Sequence, residues 1–160
     1  MHFLRLPRDV SGPVAQDLVA QVRALSPGPL VIAVDTNAGD EMVWDLVDAI
    51  AAHEGSTTAI VGDEAQGAGL ILTVACRHRA CQRYSRFAFQ RFADEEATRK
   101  LVTCLARWRI REVYRWYFLT ASGKPHRFGA DEARTLGVVQ EIIETPRETV
   151  LEWRLSFVPR

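Results

Sequence analysis

Apolar and polar positions switch between two periods along this chain, and the switches mark its elements. Phe3 to Leu6 is a short apolar strand candidate, and Ser11 then stands where a helix wants its cap, with Pro13 in the first turn. Val14, Leu18, Val22 and Leu25 fall on one face at helical spacing, and Ser26 to Pro29 (SPGP) ends that helix. Leu30 to Val34 is a continuous apolar run of the kind found in strands buried on both faces, which implies a parallel sheet. Asp35 to Gly39 is a polar turn leading to a second amphipathic helix, with Val43, Leu46, Val47 and Ile50 inward. The next strand is Thr57 to Val61, so the first half reads as strand and helix in alternation, a layered α/β unit with right-handed crossovers.

The stretch from Ala59 to Ala75 (AIVGDEAQGAGLILTVA) joins that strand, through a polar turn beginning at Gly62, to a buried helix opened by Gly67, Ala68 and Gly69. A helix start without bulky Cβ groups lets free backbone N–H donors approach a carbonyl or an anion, and so could form an oxyanion hole. The same glycines also permit close helix packing, and the stretch taken alone favours packing. Beyond it, Phe87 and Phe89 alternate as in a strand, and a long helix runs from Asp94 toward Leu119 until Ser122 to Pro125 breaks it. A short helix, Ala130 to Leu136, stops at Gly137, and Val138 to Ile143 resumes an extended run. Residues 144–160 form a strand-like tail, with Leu151, Trp153, Leu155 and Phe157 on one side.

Composition narrows the function classes. With 160 residues, 48% of them hydrophobic, the chain suits one domain with a sizeable core. Twenty basic residues balance twenty acidic ones, so global charge gives no argument for nucleic acid or an anionic membrane. Three irregularly spaced cysteines and an N-terminus without a long apolar segment point to a reduced, cytoplasmic protein. No window approaches the roughly 20 apolar residues of a membrane span.

The order of these motifs resembles a family. Strand, polar glycine turn, helix, strand, G-x-x-x-x-G-A turn, helix and then A-D-E-A-x-x-L-G-V-V is similar to the Clp protease and crotonase superfamily, over Phe3 to Ile143. The likeness is strongest from Gly62 to Ser85 and from Gly129 to Ile143, and the compact first half looks more like the Clp branch. It implies an α/β domain of the layered ββα-superhelix type with a mostly parallel sheet. It also implies a homo-oligomer built through the long helix and sheet edges, and a peptide or acyl compound as ligand. Little chain precedes Phe3 to supply an N-terminal pore segment, which argues against an ATPase partner.

The chemistry implied by the resemblance meets departures in this sequence. A Clp-type peptidase needs a serine in the central turn, a histidine to take its proton and an acid to orient the histidine. The serine position falls on Ala65, or on Gln66 one residue along; the histidine position is Gln90; the acid falls at Pro125 or His126. The crotonase glutamate position holds Arg91, and a second glutamate on the long helix has only Glu112 nearby. The triad is absent, and the resemblance implies a non-catalytic binding or assembly protein. A backbone oxyanion hole could survive at Ala38 or Gly39 and at Gly67 or Ala68, because main-chain donors do not depend on side chains.

An alternative is an active enzyme of acyl or acyl-CoA chemistry that uses this hole with Asp63 and Glu64 as acid and base, and with Asp35 and Asp40 flanking its other side. Set against it, the same carboxylates read as a solvated turn. Cys76, His78 and Cys81 (C-x-H-x-x-C) are too few ligands for a structural zinc, and no metal or other cofactor is expected. His2, His53 and His126 look isolated. Arg107, Arg111 and Arg115 form a basic stripe beside Trp108 and Trp116, which suits a packing or interface helix better than nucleic acid.

Overall fold

A computed structural model of the protein describes residues 1–39, 43–89 and 126–144. The predicted long helix, the arginine stripe, the C-terminal tail, and Asp40, Gln90, Arg91, Glu112 and Pro125 lie outside the described residues. The described strands are β1 (His2–Arg5), β2 (Asp9–Val10), β3 (Leu30–Thr36), β4 (Ala38–Gly39), β5 (Thr57–Gln66), β6 (His78–Gln82), β7 (Arg86–Phe89), β8 (His126–Gly129) and β9 (Glu141–Ile143). The described helices are α1 (Gly12–Ala24), α2 (Val43–Ala52), α3 (Ala68–Ala75) and α4 (Ala130–Leu136).

These elements make a mixed α/β structure with a mostly parallel sheet. The order is β1-β3-β5-β6-β9, all parallel; β7 also pairs with β5, and β8 adds to β7 antiparallel. A two-residue parallel ladder joins β2 to β4 at one corner. α1 packs on α2, α2 on α3, and α3 on β3 and β5, so these helices share one side of the sheet. The core between them holds Leu18 and Val22 of α1, Leu46 and Ile50 of α2, Ile32 and Val34 of β3, and Leu70 and Val74 of α3. Helices on a parallel sheet follow from right-handed crossovers, as the alternating pattern requires.

Four local expectations need correction. β3 is not buried on both faces: Leu30, Ile32, Val34 and Thr36 are buried, whereas Val31, Ala33 and Asp35 are half-buried. Alternation of that kind belongs to a sheet covered fully on one side. On α1 the inward residues are Ala15, Leu18, Val19 and Val22, while Val14 is 43% exposed, because the apolar stripe is rotated by one position. Ser11 takes the N-cap position of α1, but its hydroxyl donates to the Asp9 carboxylate instead of capping the helix.

The fourth correction bears on function. β5 does not end at Val61 in a polar turn; it continues to Gln66. Thr58 to Val61 pair with β6, and Glu64 to Gln66 then pair with β7. Between them lies a bulge: Val34 faces Val61 and Thr36 faces Ala65, so Asp35 alone spans Gly62, Asp63 and Glu64. Two contacts stabilise the bulge. The Asp63 N–H donates to Asp35 Oδ1 at 2.6 Å, and the buried Ser85 hydroxyl reaches the Gly62 and Val61 carbonyls at 2.5 and 3.1 Å. Polar composition at Gly62 to Glu64 imitates a turn, but pairing with a strand some twenty residues away keeps the backbone extended.

α3 ends at Ala75, so Cys76 leaves the helix yet stays fully buried, and His78 is an exposed residue of β6. The buried Arg79 closes this end: its guanidinium donates to the carbonyls of Cys76 and Val138, each at 2.9 Å. That satisfies a helix C-terminal carbonyl and ties α3 to the loop before β9. α4 stops at Gly137, which has φ 80° and ψ 13° and returns its N–H to the helix, as predicted.

Candidate functional site

The two glycine-rich segments meet. Gly39 of β4 lies so close to the first turn of α3 that a Cβ there would be 2.3 Å from Ala68 Cβ. A Cβ on Gly69 would come 2.3 Å from the Thr36 carbonyl oxygen. Both glycines are required by close backbone approach. Ala38, Gly39, Gly67 and Ala68 therefore share one corner of the fold, between the C-terminal end of β3 and the N-terminus of α3.

The backbone donors of this corner are partly engaged. The Asn37 and Ala38 N–H groups both donate to the Arg8 carbonyl, at 2.9 and 3.1 Å, and the Gly67 N–H points to the Ala88 carbonyl at 3.4 Å. Gly39 sits in the small ladder opposite Val10. Ala68 lies in the first turn of α3, where the helix itself supplies no acceptor and the N-cap residue has no capping side chain. Of the four expected donors, the Ala68 N–H stands where the helix supplies no acceptor, on a residue that is itself buried.

The elbow between β5 and α3 is Gly67, with φ 51° and ψ −113°. Side chains rarely tolerate that conformation, and strained strand-to-helix elbows are where several hydrolases expose a nucleophile. Here the elbow has no side chain. Its neighbours are equally unreactive: Ala65 is fully buried between Thr36 of β3 and Phe87 of β7, and half-buried Gln66 donates its side-chain amide to Glu64 Oε2 at 2.9 Å. No residue from Gly62 to Ala68 is a serine, threonine or cysteine.

The two carboxylates of this segment are consecutive strand residues with different surroundings. Glu64 accepts from Gln66 and, through Oε1, from Asn37 Nδ2 at 2.7 Å, so it bridges the β3–β4 connection to the end of β5. Asp63 instead lines a cavity of about 480 Å³ with Arg5, Leu6, Pro7, Arg8 and Asp35. Sequence reasoning missed Asn37 and Ser85, whose partners are 27 and 23 or 24 residues away and leave no local signal.

His126 is not isolated. On β8 its Nε2 lies 2.9 Å from Glu132 Oε1 of α4, and its ring stacks on Phe128 with centroids 5.4 Å apart. Phe128 stacks in turn on Phe87, and the cross-strand pairs Ala65 with Phe87 and Phe87 with Phe128 place His126 two strands from the elbow. His2 and His53 serve the backbone: their Nε2 atoms lie 2.9 and 2.7 Å from the Ser26 and Gly28 carbonyl oxygens. Cys76 and Cys81 are fully buried, and burial pushes their thiols up to about 12 and about 11. With His78 exposed to solvent on its strand, the three residues do not converge.

Comparison with solved structures places this corner in a known architecture. The ClpP protease catalytic domain from Plasmodium falciparum superposes with a TM-score of 0.78 at 14% identity, over 90% of this chain and 85% of that one. A ClpP1 mutant from Listeria monocytogenes gives 0.70 at 18% identity, over 90% and 92%. The chain has the ClpP fold. A third structure, described only as an enzyme, matches this ClpP-fold chain with a TM-score of 0.76 at 14% identity, over 89% and 95%. No protein-family model matches the sequence, and no curated protein does. Among the described residues no helix is long and apolar enough to cross a membrane.

Proposed function

We propose that this ClpP-fold chain is a non-catalytic binding or assembly protein, lacking the Ser-His-Asp triad and acting as a homo-oligomer. One observation carries the reading: from buried Ala65 through Gln66 to the Gly67 elbow, no residue at the junction of β5 and α3 carries a nucleophilic side chain. The conclusion therefore does not depend on which residue is aligned with the serine. His126 at the acid position is paired with Glu132, and so is engaged away from the elbow. The ligand suited to this corner is a peptide or acyl carbonyl, received by the N-terminal turn of α3 at Ala68.

The second reading is acyl chemistry driven by Asp63 or Glu64. Glu64 accepts hydrogen bonds from the side-chain amides of Asn37 and Gln66, one on each carboxylate oxygen, and both donors belong to the fold itself. The experiment is a turnover screen with peptide, ester and acyl-CoA substrates on the wild type and Glu64→Gln, with the size measured in solution. The proposal predicts no turnover in either protein and an assembly larger than a monomer. Turnover abolished by Glu64→Gln would establish the enzyme instead. Nucleic-acid binding through Arg107 to Arg115 would show as affinity that falls steeply with salt.

A further inference from the structure

His2 and His53 come from distant parts of the sequence and meet beside the amino ends of β1, β3 and β5, at the opposite end of the sheet from the glycine corner. Their ring centroids are 6.2 Å apart and their planes nearly perpendicular, at 84°. Main chain holds the segment they share: the His2 N–H donates to the Pro29 carbonyl at 2.7 Å, the Leu30 N–H to that of Ser56 at 2.8 Å, and the Gly28 N–H to that of Glu54 at 2.9 Å. Gly28 and Gly55 touch there, since a Cβ on Gly55 would collide with the Gly28 carbonyl oxygen. The two imidazoles are therefore mounted on a fixed frame.

Each ring has one nitrogen in use and one to spare. His2 Nε2 lies 2.9 Å from the Ser26 carbonyl oxygen and 3.3 Å from the Ser26 hydroxyl, and His53 Nε2 lies 2.7 Å from the Gly28 carbonyl oxygen. A carbonyl oxygen can only accept, so each Nε2 carries a hydrogen and the lone pair of the neutral ring is on Nδ1. Among the described residues no hydrogen bond reaches either Nδ1. An imidazole whose other N–H is held by a backbone carbonyl is the usual form of a metal-binding histidine. α1 and α2 also end here, at Ala24 and Ala52, and the partial negative charge of a helix C-terminus favours a cation.

We infer that His2 and His53 together bind one late first-row divalent cation, zinc or a close relative, through their Nδ1 atoms. Zinc–nitrogen bonds of about 2.0–2.1 Å, with the distance from nitrogen to ring centre added on either side, span a centroid separation of this size. Among the described residues no group of three such ligands forms, so water completes the coordination and the site is open, unlike a four-ligand structural zinc. A cavity of about 310 Å³ borders His53 and leaves room for that water; Arg23 and Glu54, which also line it, carry one charge of each sign. The site does not depend on whether the chain is an enzyme.

The test is calorimetric titration of the full chain, free of any polyhistidine tag, with zinc chloride, and with magnesium chloride as the hard-cation control. Zinc should bind at one ion per chain, and magnesium should not bind. His2→Gln and His53→Gln each keep a side-chain N–H for the carbonyl that Nε2 serves while removing Nδ1, and each should weaken zinc binding at least tenfold. His78→Gln, which removes an exposed imidazole elsewhere on the sheet, should leave the affinity unchanged. Should one of the two site variants fail to fold, the other decides. Absence of zinc binding, an equal response to magnesium, unchanged affinity in the folded site variants, or a tenfold loss in His78→Gln would overturn the inference.

Discussion

Two buried thiols show how single residues set the pH range of this protein. Desolvation raises Cys76 to about 12, against the opposing pull of nearby Arg79, and raises Cys81 to about 11, against a hydrogen bond with Ser85. Both values exceed the ordinary 9.0, so at alkaline pH the folded protein retains protons that the unfolded chain loses. The resulting stability is complete below about pH 9 and declines as pH rises through the folded values, by about 1.4 kcal/mol per pH unit for each thiol. Urea denaturation at a series of pH values from 8 to about 11 should therefore show a steeper loss in the wild type than in a Cys76→Ala/Cys81→Ala variant. Equal slopes would place these thiols in contact with water. Arg79 is buried as well, and desolvation lowers its pKa, yet backbone carbonyls satisfy its guanidinium. None of this is visible in the C-x-H-x-x-C pattern, whose spacing does not say that the structure has two core thiols and an exposed imidazole.

At the scale of elements, the seam between β3 and α3 determines the site. Gly69 allows the helix to rest on the Thr36 carbonyl, and an added methyl would have to displace main chain, not a flexible side chain. Gly69→Ala should cost about 2 kcal/mol or more, whereas Gly129→Ala, with nothing within 4 Å of the added carbon, should cost less than about 1 kcal/mol. Chemical denaturation of the two variants distinguishes them, and a small loss at Gly69 would contradict the close seam. The sequence made this junction partly legible: Gly67, Ala68 and Gly69 announced a helix start under close approach, and Val43, Leu46, Val47 and Ile50 faced inward as their spacing required. It concealed the continuation of β5, because Gly62, Asp63 and Glu64 have turn composition and their extension is imposed by β7. Asp63 and Glu64 part company within the bulge, where the Asp63 N–H meets Asp35 and the Glu64 carboxylate meets Asn37 and Gln66. The one-residue error on α1 has a simpler cause: Ala15 fills the tight space under the helix, and its small side chain weighs little in a hydrophobic pattern.

For the molecule as a whole, the order of elements proved more informative than any motif. The ClpP fold is present at 14–18% identity, so this fold is compatible with a sequence in which most side chains differ from those of the structures it matches. A parallel sheet with α1, α2 and α3 packed over it needs only the alternation of apolar runs and glycine turns, together with small residues where backbones touch. Catalysis needs particular atoms, and the junction where a nucleophile would stand holds Ala65, Gln66 and Gly67. The fold itself makes no such demand, because the packing of α3 on β3 and β5 relies on the apolar side chains of Leu70, Val74, Ile32 and Val61.

The most direct test of that separation is intact-mass analysis of the folded protein after exposure to a fluorophosphonate, which modifies activated serines covalently. The account predicts an unchanged mass under conditions that fully label a serine peptidase. A stoichiometric adduct on one serine, accompanied by peptide cleavage that the reagent abolishes, would contradict it.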